Sequence, residues 1–288
     1  GETGGVGFPV GSTTNSCTLG LWVSKQTVET DRGTVIFIDT EGINHANSTS
    51  ENDLKVFALA LLLSTQFVYN SVGAIDETAV SGLALVSTVC NRIQQQSTDN
   101  KSSHHSFPRL VWVLRDFALD MKSSQNTEET IGPDEYLQDV LTARTTTGKK
   151  NESARDAINK SFLNTKCFTF ERPCSDDGKL KFVETRPSTH RRAFKDGVAE
   201  LKKDLLAHVA PIIRSGSVEG NSSLGTTREY TELCKAMAIA VSQEKCNPNL
   251  FEVWTKVDEV RFEALMSGYE TDMDKILDVQ GALNLMKK

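Results

Sequence analysis

Three stretches of this sequence carry side chains whose types and spacing could do chemistry. Asp39-Thr40-Glu41-Gly42 has the form D-x-x-G. A carboxylate at the end of a strand can hold a magnesium ion through water. The glycine that follows lets a backbone N–H come close to a phosphate. Upstream, STTNSCTLG at 12–20 is a hydroxyl-rich loop, with Thr18 a candidate magnesium ligand and Ser16 a candidate water-positioning group. Downstream, Arg115-Asp116 closes the apolar run RLVWVL. An aspartate there can accept hydrogen bonds from both N1–H and the exocyclic amine of guanine, a donor pair that adenine lacks. Taken singly, each signal also has an ordinary reading: a strand ending in a glycine turn, a polar loop, and a surface ion pair worth little.

The elements that must position these residues follow from periodicity. The runs at 21–27 and 34–39 are β-rich and flank a polar turn ending in Asp31-Arg32-Gly33. The second run, TVIFID, is apolar up to Asp39, which predicts a strand covered by helices on both faces. A buried helix is expected over 53–64 and a strand over 66–70. The spacing of Val80, Leu83, Val86, Val89 and Ile93 predicts a helix over 76–95. After a polar linker at 96–107 comes a buried strand at 110–114. Pro133 opens a helix with acidic residues in its first turn. A helix over 154–163, a strand over 167–170, a loop over 173–187 and a long helix over 192–213 complete the pattern. Residues 215–227, SGSVEGNSSLGTT, read as a linker, and 228–288 show helical stretches with almost no strand signal. Strands alternating with helices predict an α/β domain over 1–214, then the linker, then the start of a helical domain over 228–288. Ligands of such sheets sit at the carboxyl ends of the strands. Asp39 and Asp116 should share that edge if both strands are parallel. Trp22, Trp112 and Trp254 sit in apolar patterns and read as core.

Composition narrows the function classes. The chain has 288 residues, with 32 Lys and Arg against 38 Asp and Glu, a net charge of -6. That balance argues against a nucleic-acid binder dominated by phosphate contacts. Its longest apolar run, at 56–63, falls short of the ~20 residues a membrane-spanning helix needs. The six cysteines form no C-x-x-C pair. They read as buried small side chains in a reducing compartment, so a cytoplasmic location is expected.

The order of these signals carries a family resemblance. GFPVGSTTNSCTLGLWV at 7–23 resembles the first switch region of the guanylate-binding proteins, and IDTEG at 38–42 their second. FALALLLSTQFVYNSVGAID at 57–76 resembles the helix and strand that follow. VWVLRDF at 111–117 matches their arginine–aspartate guanine motif, and GPDEYL at 132–137 and KCFTFERP at 166–173 continue the likeness. The resemblance covers about the first 210 residues. It implies a dynamin-like large GTPase that binds GTP and hydrolyses it to GDP with Mg2+. It also implies an α/β, P-loop-NTPase-like G domain followed by an α-helical segment. Carried over by residue, Ser16 would orient the attacking water. Thr18 would ligate magnesium and sense the γ-phosphate, and Asp39 would hold the metal through water. Glu41 would join the hydrogen-bond relay around the water and Gly42 would contact the γ-phosphate. Asp116 would read guanine, with Arg115 bracing the base or its loop. The loop after Pro173 would correspond to the guanine cap, where the family pairs two G domains in a nucleotide-dependent homodimer. No nucleic-acid partner is implied, and membrane association is not encoded in this stretch.

The sequence departs from the family at one place. The phosphate loop G-x-x-x-x-G-K-[ST] does not occur, since Gly1-Glu2-Thr3-Gly4-Gly5 is followed by no lysine. The expectation is therefore a chain truncated upstream of Gly1, lacking the first strand, phosphate loop and first helix of the G domain, with impaired nucleotide binding. The alternative is a degenerate, non-catalytic G domain that acts as an interaction scaffold.

Overall fold

The computed structural model of the chain describes residues 8, 20–41, 50–95, 107–124, 126, 128–142, 149–176, 190–210, 227–242, 262–263 and 266–267. Strands β1 (Leu21–Thr30) and β2 (Gly33–Thr40) form an antiparallel hairpin, in register from Leu21 opposite Thr40 to Thr30 opposite Gly33. Its turn is closed by the Thr30 hydroxyl. That hydroxyl donates to the Gly33 carbonyl at 2.7 Å and accepts from the Arg32 N–H at 3.2 Å. Gly33 has φ 124°, which a residue with a Cβ rarely adopts. The apolar run TVIFID is not covered on both faces as its composition predicts. No residue of β2 is fully buried, and Phe37 is 41% exposed. The physical reason is its neighbourhood. β1 takes one edge, helix α1 (Ser50–Leu63) packs against it, and among the described residues no strand pairs with the other edge. Trp22 on β1 is likewise 43% exposed rather than core.

A second sheet is parallel and three-stranded, in the order β3 (Gln66–Val72), β4 (Arg109–Arg115), β5 (Thr165–Thr169). As the central strand, β4 is buried from Leu110 through Leu114. Its side chains alternate between two faces. On one, Trp112 meets Tyr69 edge-on at 5.0 Å and donates its indole N–H to the Ser71 hydroxyl at 2.9 Å. Phe57 of α1 stacks on Tyr69 at 5.7 Å. Three further helices, α2 (Glu77–Gln95), α3 (Pro133–Thr142) and α4 (Lys149–Ser161), are tied together by Arg155. Its Nε donates to the Val140 carbonyl at 2.7 Å, and its guanidinium pairs with Glu77. On the opposite sheet face, Val111, Val113, Phe168 and Phe170 receive Phe194, Leu201 and Leu205 of α5 (Arg192–Ala207).

Helix α5 ends earlier than the apolar pattern to 213 suggests. The His208 N–H turns back to the Asp204 and Leu205 carbonyls, and Pro211 lies just beyond. Arg32 Nη1 and Gln66 Nε2 donate to the Ala207 and Leu205 carbonyls, both at 2.8 Å. Arg109 grips Asp204 with both terminal nitrogens, at 2.6 and 3.2 Å.

The chain divides into two compact units, Gly1–Ser222 and Ser223–Lys288. In the second, helix α6 (Thr227–Ser242) buries Leu233, Met237 and Val241 along one face. Among the described residues no helix is long and apolar enough to cross a membrane.

Candidate functional site

The parallel sheet fixes the carboxyl end of β4 from both sides. Val72 lies opposite Arg115, and the Gly73 N–H donates to the Arg115 carbonyl at 2.7 Å. On the β5 side, the Phe170 N–H donates to the Leu114 carbonyl at 2.8 Å and the Phe117 N–H to the Phe170 carbonyl at 2.9 Å. Asp116 stands between these anchors with φ 54°, in the left-handed region, and is exposed. Aspartate tolerates that conformation better than most residues, because its short side chain can bond locally. An off-minimum backbone persists where its surroundings over-determine it, and such places cluster at binding sites. The result is a carboxylate displayed beyond the sheet by a turn whose flanking peptides are fixed. The Arg115 side chain is exposed beside it.

Two helix starts gather at the same edge. Asp76 Oδ1 accepts from the Ala79 N–H at 2.7 Å and caps α2. At the start of α3, Glu135 Oε2 accepts from the Gly132 N–H at 3.0 Å, as in a capping box. Asp134 joins α3 to β5, accepting from Lys166 Nζ at 2.6 Å and from the Cys167 N–H at 2.8 Å. The hydrogen bond to Asp134 holds the Lys166 ammonium above its ordinary pKa, and burial pushes the Cys167 thiol up to about 12. The Tyr136 hydroxyl accepts from the Ile75 N–H at 3.3 Å, and its ring lies 6.0 Å from that of Phe117. Burial raises the pKa of that hydroxyl, against the opposing pull of the Ile75 N–H. Gly73, Ile75 and Tyr136 were not singled out as site residues from the sequence. The available signals were the glycine before the Asp76 cap in GAID and the tyrosine in GPDEYL.

The second acidic turn closes the hairpin. Glu41 and Gly20 bond reciprocally: the Glu41 N–H donates to the Gly20 carbonyl at 2.8 Å, and Glu41 Oε2 accepts from the Gly20 N–H at 2.9 Å. Glu41 thus ties the last residue of the hydroxyl-rich loop to the end of β2. Asp39 lies opposite Trp22 at the same end of the hairpin. The remaining candidates, Ser16, Thr18 and Gly42, lie outside the described residues. Because β2 belongs to an antiparallel hairpin separate from the parallel sheet, the condition for Asp39 and Asp116 to share one sheet edge is not met among the described residues. Asp39 offers a hard oxygen donor. Among the described residues, no three His, Cys, Asp or Glu side chains cluster for a metal. A site with one or two protein oxygens suits magnesium, which keeps waters and substrate phosphates as its other ligands.

The loop after Pro173 has a defined stem. The Arg191 N–H donates to the Pro173 carbonyl at 2.7 Å. Its guanidinium reaches Ser175 Oγ at 3.1 Å and Glu171 Oε2 at 3.4 Å. Loop residues 177–189 lie outside the described residues.

A parallel sheet with two helix starts and the Asp116 turn at its carboxyl edge defines an α/β protein of the open-sheet class, in which ligands sit beyond the strand ends. The family model "Guanylate-binding protein, N-terminal domain" matches residues 4–212. Guanylate-binding protein 1 of Homo sapiens is 36% identical over 282 residues, covering 93% of this chain and 47% of the relative. Guanylate-binding protein 2 of Homo sapiens is 31% identical over 280 residues, covering 93% of this chain and 46% of the relative. Guanylate-binding protein 1 of Mus musculus is 34% identical over 227 residues, covering 75% and 38%. The chain belongs to the guanylate-binding protein family, and its α/β unit to the P-loop NTPase fold of that family's G domain. It spans less than half the length of these relatives.

Proposed function

We propose that this chain carries the guanine-reading part of a guanylate-binding-type large GTPase. The observation that supports this most is Asp116: an exposed carboxylate, held in a left-handed turn by fixed neighbours, at the end of the central strand. A carboxylate there accepts from N1–H and the exocyclic amine of guanine, which adenine cannot match. Arg115 flanks the base.

In the reaction we propose, water attacks the γ-phosphate of GTP in line, and catalysis is positioning and charge stabilisation rather than covalent chemistry. Thr18 and Asp39 would hold a magnesium ion, which neutralises developing charge when bound. Ser16 and Glu41 orient the water, and Gly42 offers its N–H to the phosphate. The Glu41–Gly20 bonds make Glu41 also the clasp between the hydroxyl-rich loop and the D-x-x-G turn. Two copies would pair through the loop rising from the Glu171–Arg191 stem when nucleotide is bound, in the cytoplasm. Because residues 1–288 contain no G-x-x-x-x-G-K-[ST], we expect nucleotide binding by this stretch alone to be weak and turnover slow.

The test is a titration of the chain with fluorescent GDP and ADP in magnesium buffer. Preference for GDP supports the reading. Equal binding of GDP and ADP by the folded chain would overturn it in favour of a scaffold whose motifs are relics.

A further inference from the structure

We propose that Tyr136 is a positioning residue that aims Asp116, and so sets how strongly the site prefers a purine with a 2-amino group. This deepens the reading of Asp116 as the guanine reader and rests on it. Two segments flank that turn: the loop after β3 and the first residue after Asp116. Tyr136 touches both, accepting the Ile75 N–H at 3.3 Å through its hydroxyl and meeting the Phe117 ring at 6.0 Å. The same two segments meet again where the Gly73 N–H donates to the Arg115 carbonyl at 2.7 Å. The contacts therefore close a circuit, from Gly73 to Arg115, across Asp116 to Phe117, then through Tyr136 to Ile75 and along the chain to Gly73. Arg115 and Asp116 are both exposed members, and Asp116 is the one whose φ of 54° needs external support. Tyr136 is itself anchored. Its N–H donates to the Gly132 carbonyl at 2.9 Å, and α3 is pinned to β5 by Asp134. Loosening Tyr136 frees the turn without touching the base.

Inosine diphosphate separates aim from general integrity, because it keeps N1–H and lacks the exocyclic amine. The full chain, Tyr136→Phe and Tyr136→Leu are titrated with fluorescent GDP and IDP. Tyr136→Phe keeps the ring and removes the acceptor for Ile75, and Tyr136→Leu removes both contacts. We expect the GDP-to-IDP affinity ratio to fall about two- to tenfold in Tyr136→Phe, the range of one neutral hydrogen bond, and further in Tyr136→Leu, with IDP affinity falling less than that of GDP because IDP keeps only the N1–H bond. Equal weakening of both nucleotides, with the ratio intact, overturns the positioning role. A ratio of one in the unsubstituted chain overturns the Asp116 reading itself, which marks that failure as a different one. Amide hydrogen exchange without nucleotide gives a second readout. Faster exchange at Gly73, Ile75 and Phe117 together in Tyr136→Phe supports the circuit, and acceleration confined to Ile75 overturns it.

Discussion

At the scale of single residues, Asp116 makes the sharpest demand on chemistry. Its φ of 54° is one that asparagine also tolerates, so Asp116→Asn keeps the turn and changes the acceptor set. The amide offers one acceptor and two donors where the carboxylate offers acceptors alone. GDP affinity should drop about tenfold or more, the range of hydrogen bonds to a charged group, while ADP affinity stays where it was. Parallel titrations with the two nucleotides check this, and an unchanged GDP affinity would remove Asp116 from the site. Asp116 was legible in the sequence because an acid directly after a buried strand is a local signal. Tyr136 was not, since its partner Ile75 lies 61 residues away and only the fold brings the two together.

At the scale of elements, α5 shows how a helix docks with a mostly half-exposed surface. None of its residues is fully buried, yet Phe194, Leu201 and Leu205 meet the sheet at Val111, Val113, Phe168 and Phe170. Gly197 lets it come close. A Cβ there would sit 3.1 Å from Phe170 Cε1 and 3.3 Å from Cδ1, and that ring is itself held between the sheet and Phe194. Alanine in a helix interior gains about 1 kcal/mol over glycine, whereas overpacking a fitted site costs about 1–3 kcal/mol. Since Phe170 is boxed in, the second effect should win, and Gly197→Ala should lower stability by about 1 kcal/mol in urea unfolding. At the helix end, the Arg109 and Asp204 side chains are 9% and 14% exposed. Asp204→Ala leaves a buried guanidinium without its carboxylate, and about 3–5 kcal/mol of stability should be lost. Replacing both, Arg109→Met with Asp204→Leu, should restore most of it, measured in the same way. The strands and helices of the first unit were legible as types, because periods of two and of 3.6 residues are local. The end of α5 was misjudged because apolar spacing continues to 213, whereas Pro211 and the side chains gripping Asp204, Leu205 and Ala207 end the helix at His208. The exposure of TVIFID was illegible for a different reason. An apolar strand reads the same whether or not a neighbour is there to cover it.

At the scale of the whole molecule, the groups displaced most clearly from their ordinary ionisation share one sign. The Cys167 thiol is raised from 9.0 to about 12, first by burial and then by the charge of Asp134. Burial also raises the Tyr69 and Tyr136 hydroxyls above 10.0, and the hydrogen bond to Asp134 raises the Lys166 ammonium above 10.5. Those four belong to the first unit; in the second, burial likewise raises the Tyr230 hydroxyl and the Cys234 thiol above their ordinary values. Each holds its proton more tightly when folded than when unfolded. Above pH 9 the unfolded chain begins to release the cysteine proton that the native state keeps, and above 10 the tyrosine and lysine protons follow. The unfolded state then binds fewer protons, so stability is fully present below pH 9 and falls as pH rises toward 12. The thiol alone contributes a slope of up to about 1.4 kcal/mol per pH unit once its unfolded form is ionised. Urea unfolding followed by far-ultraviolet circular dichroism at pH 8, 9, 10 and 11 should therefore show a steady midpoint, then a descent. Cys167→Ala removes the group and leaves a small cavity. It should start lower at pH 8 and descend less steeply between pH 9 and 11. An identical slope in the two proteins would show that the buried thiol does not govern the alkaline limb. The offset at pH 8 would then measure lost packing alone.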